Sequence, residues 1–266
     1  MDSFSSGRSS DKRDRRTGAS PTGAVVQTAR EVTRRTSSHT VLVLTAVVGG
    51  AIVLGLTAVS AGVYDAVVDK DGVAGLDQPA LDQAIAWRTP LDERILTWFT
   101  HLGGPLGMTI IAGLITAAMT WRWRSWTPSI LMVVAVAGSL TFTEVGKAIV
   151  GRARPPLSEA VPPYEYAFSF PSGHTLNSTV IAGLVAYLCA RRLSSRLARV
   201  GCVACAVVWS VAIGLSRVFL GHHWLTDVMF AWLLGLAWLA LLITAHRLYL
   251  AVRPVDAARR RVGPRG

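Results

Sequence analysis

Six long stretches of the chain carry neither a charge nor a histidine. They span residues 40–64, 102–121, 125–143, 175–190, 200–216 and 228–245. Hydrocarbon needs about 20 apolar residues per crossing, within a range of about 17–25. The first three runs meet that length unaided. The last three reach it only by recruiting polar residues at their ends. Only 16% of residues are charged, against about 25% in a typical soluble chain. The pattern predicts an all-α, polytopic membrane protein, a six-helix bundle over residues 39–246. Basic tails at 1–38 and 247–266 flank it.

Charge placement sets the orientation. Of the 27 Lys and Arg, 8 lie in residues 1–38, 2 at 122–124, 4 at 191–199 and 6 at 247–265. These are alternate connections of a six-helix chain. The other side holds 7, and residues 64–101 there carry seven acids against three bases. Cytoplasmic loops are enriched in Lys and Arg, so both termini are expected in the cytoplasm. Residues 64–101, 144–174 and 217–227 are expected on the outer face. The net charge of +11 then meets anionic lipid heads rather than nucleic acid. The Ser-, Arg- and Gly-rich first 38 residues are expected to be disordered. "AVSA" at 58–61 could end a signal peptide, but the apolar run before it exceeds the usual core of about 7–15 residues. Cys189, Cys202 and Cys205 all fall in apolar runs and read as packing. Trp121, Trp123 and Trp126 read as an interfacial belt.

Ionisable groups beside spanning segments are costly, which makes them functional candidates. They gather in three segments of the same face: "KAIVGRARP" at 147–155, "PSGH" at 171–174 and "SRVFLGHHWLTD" at 216–227. Lys147, Arg152, Arg154 and Arg217 with few carboxylates suit an anion of multiple charge, because guanidinium forks match phosphate oxygens. Arg152 is the weaker candidate of the pair, a solvated rim charge as readily as a ligand. Glu144, one turn before Lys147, is expected to pair with it. In "PSGH", Ser172 can cap a helix and Gly173 lets the backbone approach, so the first amides and the helix dipole face the anion.

A helix beginning near residue 223 puts Asp227 at i+4 from His223, whereas His222 points elsewhere as an interfacial residue or spacer. Asp227 can hold one nitrogen of His223 and leave the other free to attack. His174 remains as general acid and base. A metal site built on these histidines would be repelled by the neighbouring cations. Tyr164, Tyr166, Phe168 and Phe170 read as a lipid entrance or an aromatic belt.

These residues resemble the type 2 phosphatidic acid phosphatase family, whose signatures are K-x6-RP, PSGH and SR-x5-H-x3-D. Lys147 through Arg154-Pro155, Pro171 through His174, and Ser216-Arg217 through His223 and Asp227 match all three in order. The resemblance implies His223 as nucleophile, Asp227 as its orienter and His174 as acid and base. It implies Lys147, Arg154, Ser172, Gly173 and Arg217 as phosphate ligands, with no metal or other cofactor. It implies a lipid substrate at the outer leaflet: phosphatidic acid, phosphatidylglycerol phosphate or a polyprenyl diphosphate. Only three of the basic residues are lysine, a bias of GC-rich bacterial genomes, and a cell-wall carrier such as undecaprenyl diphosphate fits that source. Transfer of the phosphoryl group to an alcohol, a vanadium haloperoxidase and a non-enzymatic lipid transporter or scaffold are the alternatives. Six apolar runs disfavour the soluble haloperoxidases, and a scaffold has no use for Asp227 behind His223.

Overall fold

A computed structural model describes the backbone of residues 21–261 and the side chains of residues 40–252. Every regular element among them is helical. Helix α1 runs Pro21–Asp69. Residues 21–38, expected to be disordered, are therefore helical, since elongation from the apolar run adds one hydrogen bond per residue. The expectation for residues 1–20 lies outside the described residues. The chain divides into Met1–Val43 and Leu44–Gly266, and the helix bundle lies in the second unit.

After α1 come short helix α2, Asp77–Trp87, and amphipathic α3, Pro90–Gly103. Then come α4, Pro105–Trp123, α5, Thr127–Val150, α6, Gly173–Ala190, α7, Arg196–Phe219, and α8, Leu225–Arg261. The Thr89 hydroxyl accepts from the Asp92 amide and Pro90 opens the first turn, the two standard signals of a helix start. Gly104 separates α3 from α4, and the two axes meet at 54°. The sequence read this stretch as the start of the apolar run 102–121. Pro105 removes a backbone donor and restricts its predecessor, which breaks the helix there.

Among the described residues, four helices are long and apolar enough to cross a bilayer, and five if α3 and α4 form one bent span. The expected six is not reached on length and composition. The exception is α6, and burial explains it. Thr175, Leu176, Ser178, Val180 and Leu184 of α6 are all at most 1% exposed. A helix enclosed by other helices needs no lipid-facing coat, and small polar residues suit such an interface. Leu176, Val180, Ile181 and Leu184 pack with Met108 and Ala112 of α4, Met132 and Ala135 of α5, and Ala231 and Leu239 of α8. Lipid-facing positions such as Leu106, Leu114, Val133 and Leu197 stay exposed at 68–81%.

Close helix approach depends on missing side chains. A Cβ on Gly138 of α5 would stand 2.4 Å from the indole of Trp238 on α8. That indole donates to the Ala135 carbonyl at 3.1 Å and packs edge-on to Phe142, so it is not free to swing away. Gly113 of α4 faces open space. Gly138→Val should lower the thermal unfolding temperature in detergent, consistent with an overpacking cost of about 1–3 kcal/mol. Gly113→Val should leave it nearly unchanged. Equal Tm values for the two variants, followed by circular dichroism, would contradict this packing.

Candidate active site

The three polar segments meet at one end of the bundle. Gly151, at φ +59°, closes α5 by donating its amide to the Lys147 carbonyl at 3.0 Å, the left-handed helix stop that glycine adopts most readily. The chain then runs as loop through residues 151–172, broken by a single 3-10 turn at Leu157–Glu159. A Cβ on Gly146 would lie 2.5 Å from Pro171 Cδ, and one on Gly173 would lie 3.0 Å from Thr143 Cγ2. The end of α5 therefore rests directly on the "PSGH" segment, and the Ser172 amide donates to the Asp227 carbonyl at 3.3 Å.

Helix α8 begins at Leu225 rather than 223, yet the His223–Asp227 pairing survives. His223 Nδ1 lies 3.4 Å from Asp227 Oδ2 and 3.3 Å from Ser169 Oγ. Asp227 Oδ2 also accepts from the Trp224 amide at 2.9 Å and from the Ser169 hydroxyl. As an acid in the first turn reaching back to the amide before the helix, it forms half of a capping box. On the far side of the ring, Arg154 Nη1 lies 3.2 Å from His223 Nε2. A guanidinium only donates, so this contact leaves Nε2 as the acceptor and puts the ring proton on Nδ1, facing Asp227. Burial disfavours the charged imidazolium of His223, and Arg154 and Arg217 add to that, so its pKa lies well below the ordinary 6.5.

Arg154 and Arg217 share one anion, the carboxylate of Glu165. Arg154 Nη2 lies 2.9 Å from Glu165 Oε2, and Arg217 Nη2 pairs with Oε1. Burial opposes ionisation of Glu165. Attraction to Arg217 and Arg154 outweighs it and brings the pKa down to about 2. One carboxylate thus marks a point where two arginines and both candidate histidines converge. Arg217 is 1% exposed, and its Nε has no hydrogen-bond partner among the described residues.

Other candidates sit differently from their sequence reading. Arg152 is not a solvated rim charge. Its Nη1 donates to Asp227 Oδ1 at 2.6 Å and to Thr226 Oγ1 at 2.8 Å, and its Nη2 donates to Asp77 Oδ2 at 2.6 Å. Asp77 in turn accepts from the Thr226 amide and hydroxyl. Ser172 holds the N-cap position of α6 without a side-chain cap; its hydroxyl meets that of Thr175 at 2.9 Å. His222 is neither interfacial nor a mere spacer. It is 3% exposed, with Nε2 donating to the Val161 carbonyl at 2.7 Å. Lys147 is not brought into contact with the arginines; it pairs with Glu144 at 3.7 Å, as the i,i+3 spacing predicts. Phe170 is 1% exposed against Tyr64 and Phe230, whereas Tyr164, Tyr166 and Phe168 remain exposed. The bend between α3 and α4 serves the site: a Cβ on Gly104 would lie 3.1 Å from His174 Nε2.

Sequence reasoning missed Glu165, Ser169 and Asp77. Ser169 and Asp77 carried no signal, because their role arises only when distant segments close. Glu165 left a faint one, as the last acid before Asp227.

Known proteins share the family and the fold of this chain. A profile of the PAP2 superfamily matches residues 128–249. Phosphatidylglycerophosphatase B of Bacillus subtilis (strain 168) is 30% identical over 173 residues, 64% of this chain and 83% of that protein. The crystal structure of a transmembrane PAP2-type phosphatidylglycerolphosphate phosphatase from Bacillus subtilis matches with a TM-score of 0.65 at 26% identity. It covers 75% of this chain and 96% of that one. Aquifex aeolicus LpxE shares the fold, with a TM-score of 0.51 at 19% identity over 63% of this chain and 94% of that one.

The tautomer can be read directly. With ¹⁵N-labelled histidine, the His223 ring should show a protonated Nδ1 and a bare Nε2. Because its folded pKa is depressed, lowering the pH through 6.5 should leave it neutral. Titration of His223 at the ordinary value, or a proton on Nε2, would refute this geometry.

Proposed function

The chain belongs to the PAP2 superfamily, and from that membership we propose that it is a lipid phosphate phosphatase working through a phosphohistidine on His223. The carrying observation is the two-sided hold on the His223 ring, with Asp227 on Nδ1 and a guanidinium on Nε2. The lone pair that would attack phosphorus lies against the cation that would hold the phosphoryl oxygens.

The chemistry follows from what each group can do. Nε2 of His223 attacks phosphorus in line with the leaving oxygen. As the ring becomes cationic, Asp227 stabilises it through Nδ1. Arg154 and Arg217 take the oxygens on which negative charge builds, preorganised cations in a site poor in water, the arrangement in which electrostatic stabilisation is greatest. The Glu165 carboxylate, whose two oxygens each meet one guanidinium, stands in for two phosphoryl oxygens and must yield to the substrate. His174 protonates the leaving oxygen, then removes a proton from the water that opens the P–N bond. Ser172 and the Gly173 amide at the start of α6 complete the cradle, and Lys147 reaches it only by leaving Glu144. The substrate is a phosphomonoester or diphosphate lipid: phosphatidylglycerol phosphate, phosphatidic acid or a polyprenyl diphosphate. Its tails stay in the bilayer beside exposed Tyr164, Tyr166 and Phe168. The distribution of arginines supports an outward-facing site and cytoplasmic termini.

Phosphate release from the three lipid classes tests this reading. His223→Ala and His174→Ala should abolish release, with or without chelator. Asp227→Asn should lower kcat by about 10²–10⁴, by analogy with the orienting carboxylate of a Ser-His-Asp triad, and leave competition by vanadate nearly unchanged. Arg217→Ala should weaken vanadate as well as turnover. Glu165→Gln should tighten vanadate, because it removes the competing anion. Normal kcat in Asp227→Asn, or loss of activity with chelator, would overturn the mechanism. For orientation, Tyr166→Cys in a chain lacking the three native cysteines should react with an impermeant thiol reagent on intact cells with any outer envelope opened. Labelling only after lysis would reverse the topology.

A further inference from the structure

A second cluster of cations lies at the opposite end of the bundle. Arg191 and Arg192 follow the last residue of α6. With Trp123, Ser125, Thr127 and His246 they line a cavity of about 310 Å³ between the α4–α5 turn, the end of α6 and the distal part of α8. The Arg192 guanidinium lies 5.2 Å over the Trp123 ring, and Arg191 lies 5.9 Å over Tyr187. His246 is 6% exposed, with Nδ1 at 3.0 Å from the Tyr187 hydroxyl.

The chain provides these cations with almost no counterion. Residues 94–143, 166–226 and 228–255 contain no Asp or Glu, and those stretches include every residue lining the cavity. Among the described residues no carboxylate pairs with Arg191 or Arg192. Complementing the α6 dipole accounts for one cation at a helix C-terminus. It does not account for two arginines held on aromatic rings beside a cavity edged by the Ser125 and Thr127 hydroxyls. Forked guanidinium donors with hydroxyls beside them suit a phosphate group.

Depth identifies where that phosphate comes from. The 19 residues from Asp227 to His246 along α8 span about 28 Å at about 1.5 Å per residue. The hydrocarbon core is about 30 Å thick, so the cavity lies one core thickness from the catalytic cluster, at the headgroup level of the other leaflet. Exposed Trp121 and Trp126 flank its lining residues Trp123 and Ser125 in sequence, as aromatic residues do at an interface. Basic pockets between spanning helices at this level are suited to anionic headgroups. We propose that this cavity binds the phosphate of an anionic phospholipid in the leaflet opposite the catalytic mouth, as a bound lipid rather than a substrate.

The test is thermal unfolding of the purified full chain in detergent with three added probes: dioctanoyl phosphatidylglycerol, dioctanoyl phosphatidylcholine and inorganic phosphate. A ligand that binds only the folded state raises Tm with its concentration. Phosphatidylglycerol should raise Tm and the other two should not. Arg191→Gln/Arg192→Gln should lose the rise, and Ser125→Trp, which fills the cavity with both arginines in place, should lose it too. Arg217→Ala, at the catalytic end, should keep it. An equal rise with inorganic phosphate would make this a free-anion site and overturn the lipid assignment. So would no rise in the wild type, or a rise that persists in Ser125→Trp. A rise lost in Arg217→Ala but kept in the other variants would move binding to the catalytic mouth. Turnover in the Arg191→Gln/Arg192→Gln variant bears only on the phosphatase reading, so the two proposals fail separately.

Discussion

The site is organised around one buried carboxylate. Asp227 is fully buried, and an ionised acid in such a place is tolerated only when paired and hydrogen-bonded. Its two oxygens meet Arg152, Ser169, the Trp224 amide and His223. Each partner comes from a different constraint. Arg152 ties it to the loop that follows α5, and through Asp77 to the start of α2. Ser169 ties it to the loop before α6. The Trp224 amide fixes the first turn of α8. With three segments locked onto one group, His223 has its orientation set before any ligand arrives. Leaving either charge of the Arg152–Asp227 pair unpartnered would be strongly destabilising.

The second constraint is that loops near hydrocarbon must satisfy their own backbone. Here cationic side chains do so. Arg154 Nε donates to the Ala167 carbonyl at 2.6 Å, and its Nη1 also reaches the His222 carbonyl. Arg88 donates to the carbonyls of Phe219 and Glu159, and the Trp224 indole donates to Ala153. Gly221, at φ +71°, lets the chain turn where a Cβ would stand 2.6 Å from the Glu159 carbonyl.

The sequence exposed the parts of this site that depend on spacing within one segment. The i,i+4 relation of His223 and Asp227 was readable because an acid in the first turn of a helix reaches back to the residues just before it. The Lys147–Glu144 pair was readable from its i,i+3 spacing. Arg152 was misread because its partners, Asp77 and Asp227, each lie 75 residues away; nothing local separates a rim charge from a tether. The bend at Gly104 was hidden inside an apolar run, and it makes room for His174 only because α6 packs there. Apolar length alone does not identify α6 as the sixth span, because its surroundings are protein rather than lipid.

Lys147 shows where spacing and geometry part. The signature places it seven residues before Arg154, which suggests a joint grip on one anion. In the structure Gly151 ends α5 between them, so Arg154 turns into the cradle on a loop while Lys147 stays on the helix with Glu144. A lysine is a flexible point charge with three donors, whereas arginine holds its geometry through a planar fork. The two residues therefore suit different tasks. Arg154 can be fixed in advance by loop carbonyls, as its hydrogen bonds show. Lys147 is held only by a partly exposed i,i+3 pair with Glu144, and such a pair contributes little.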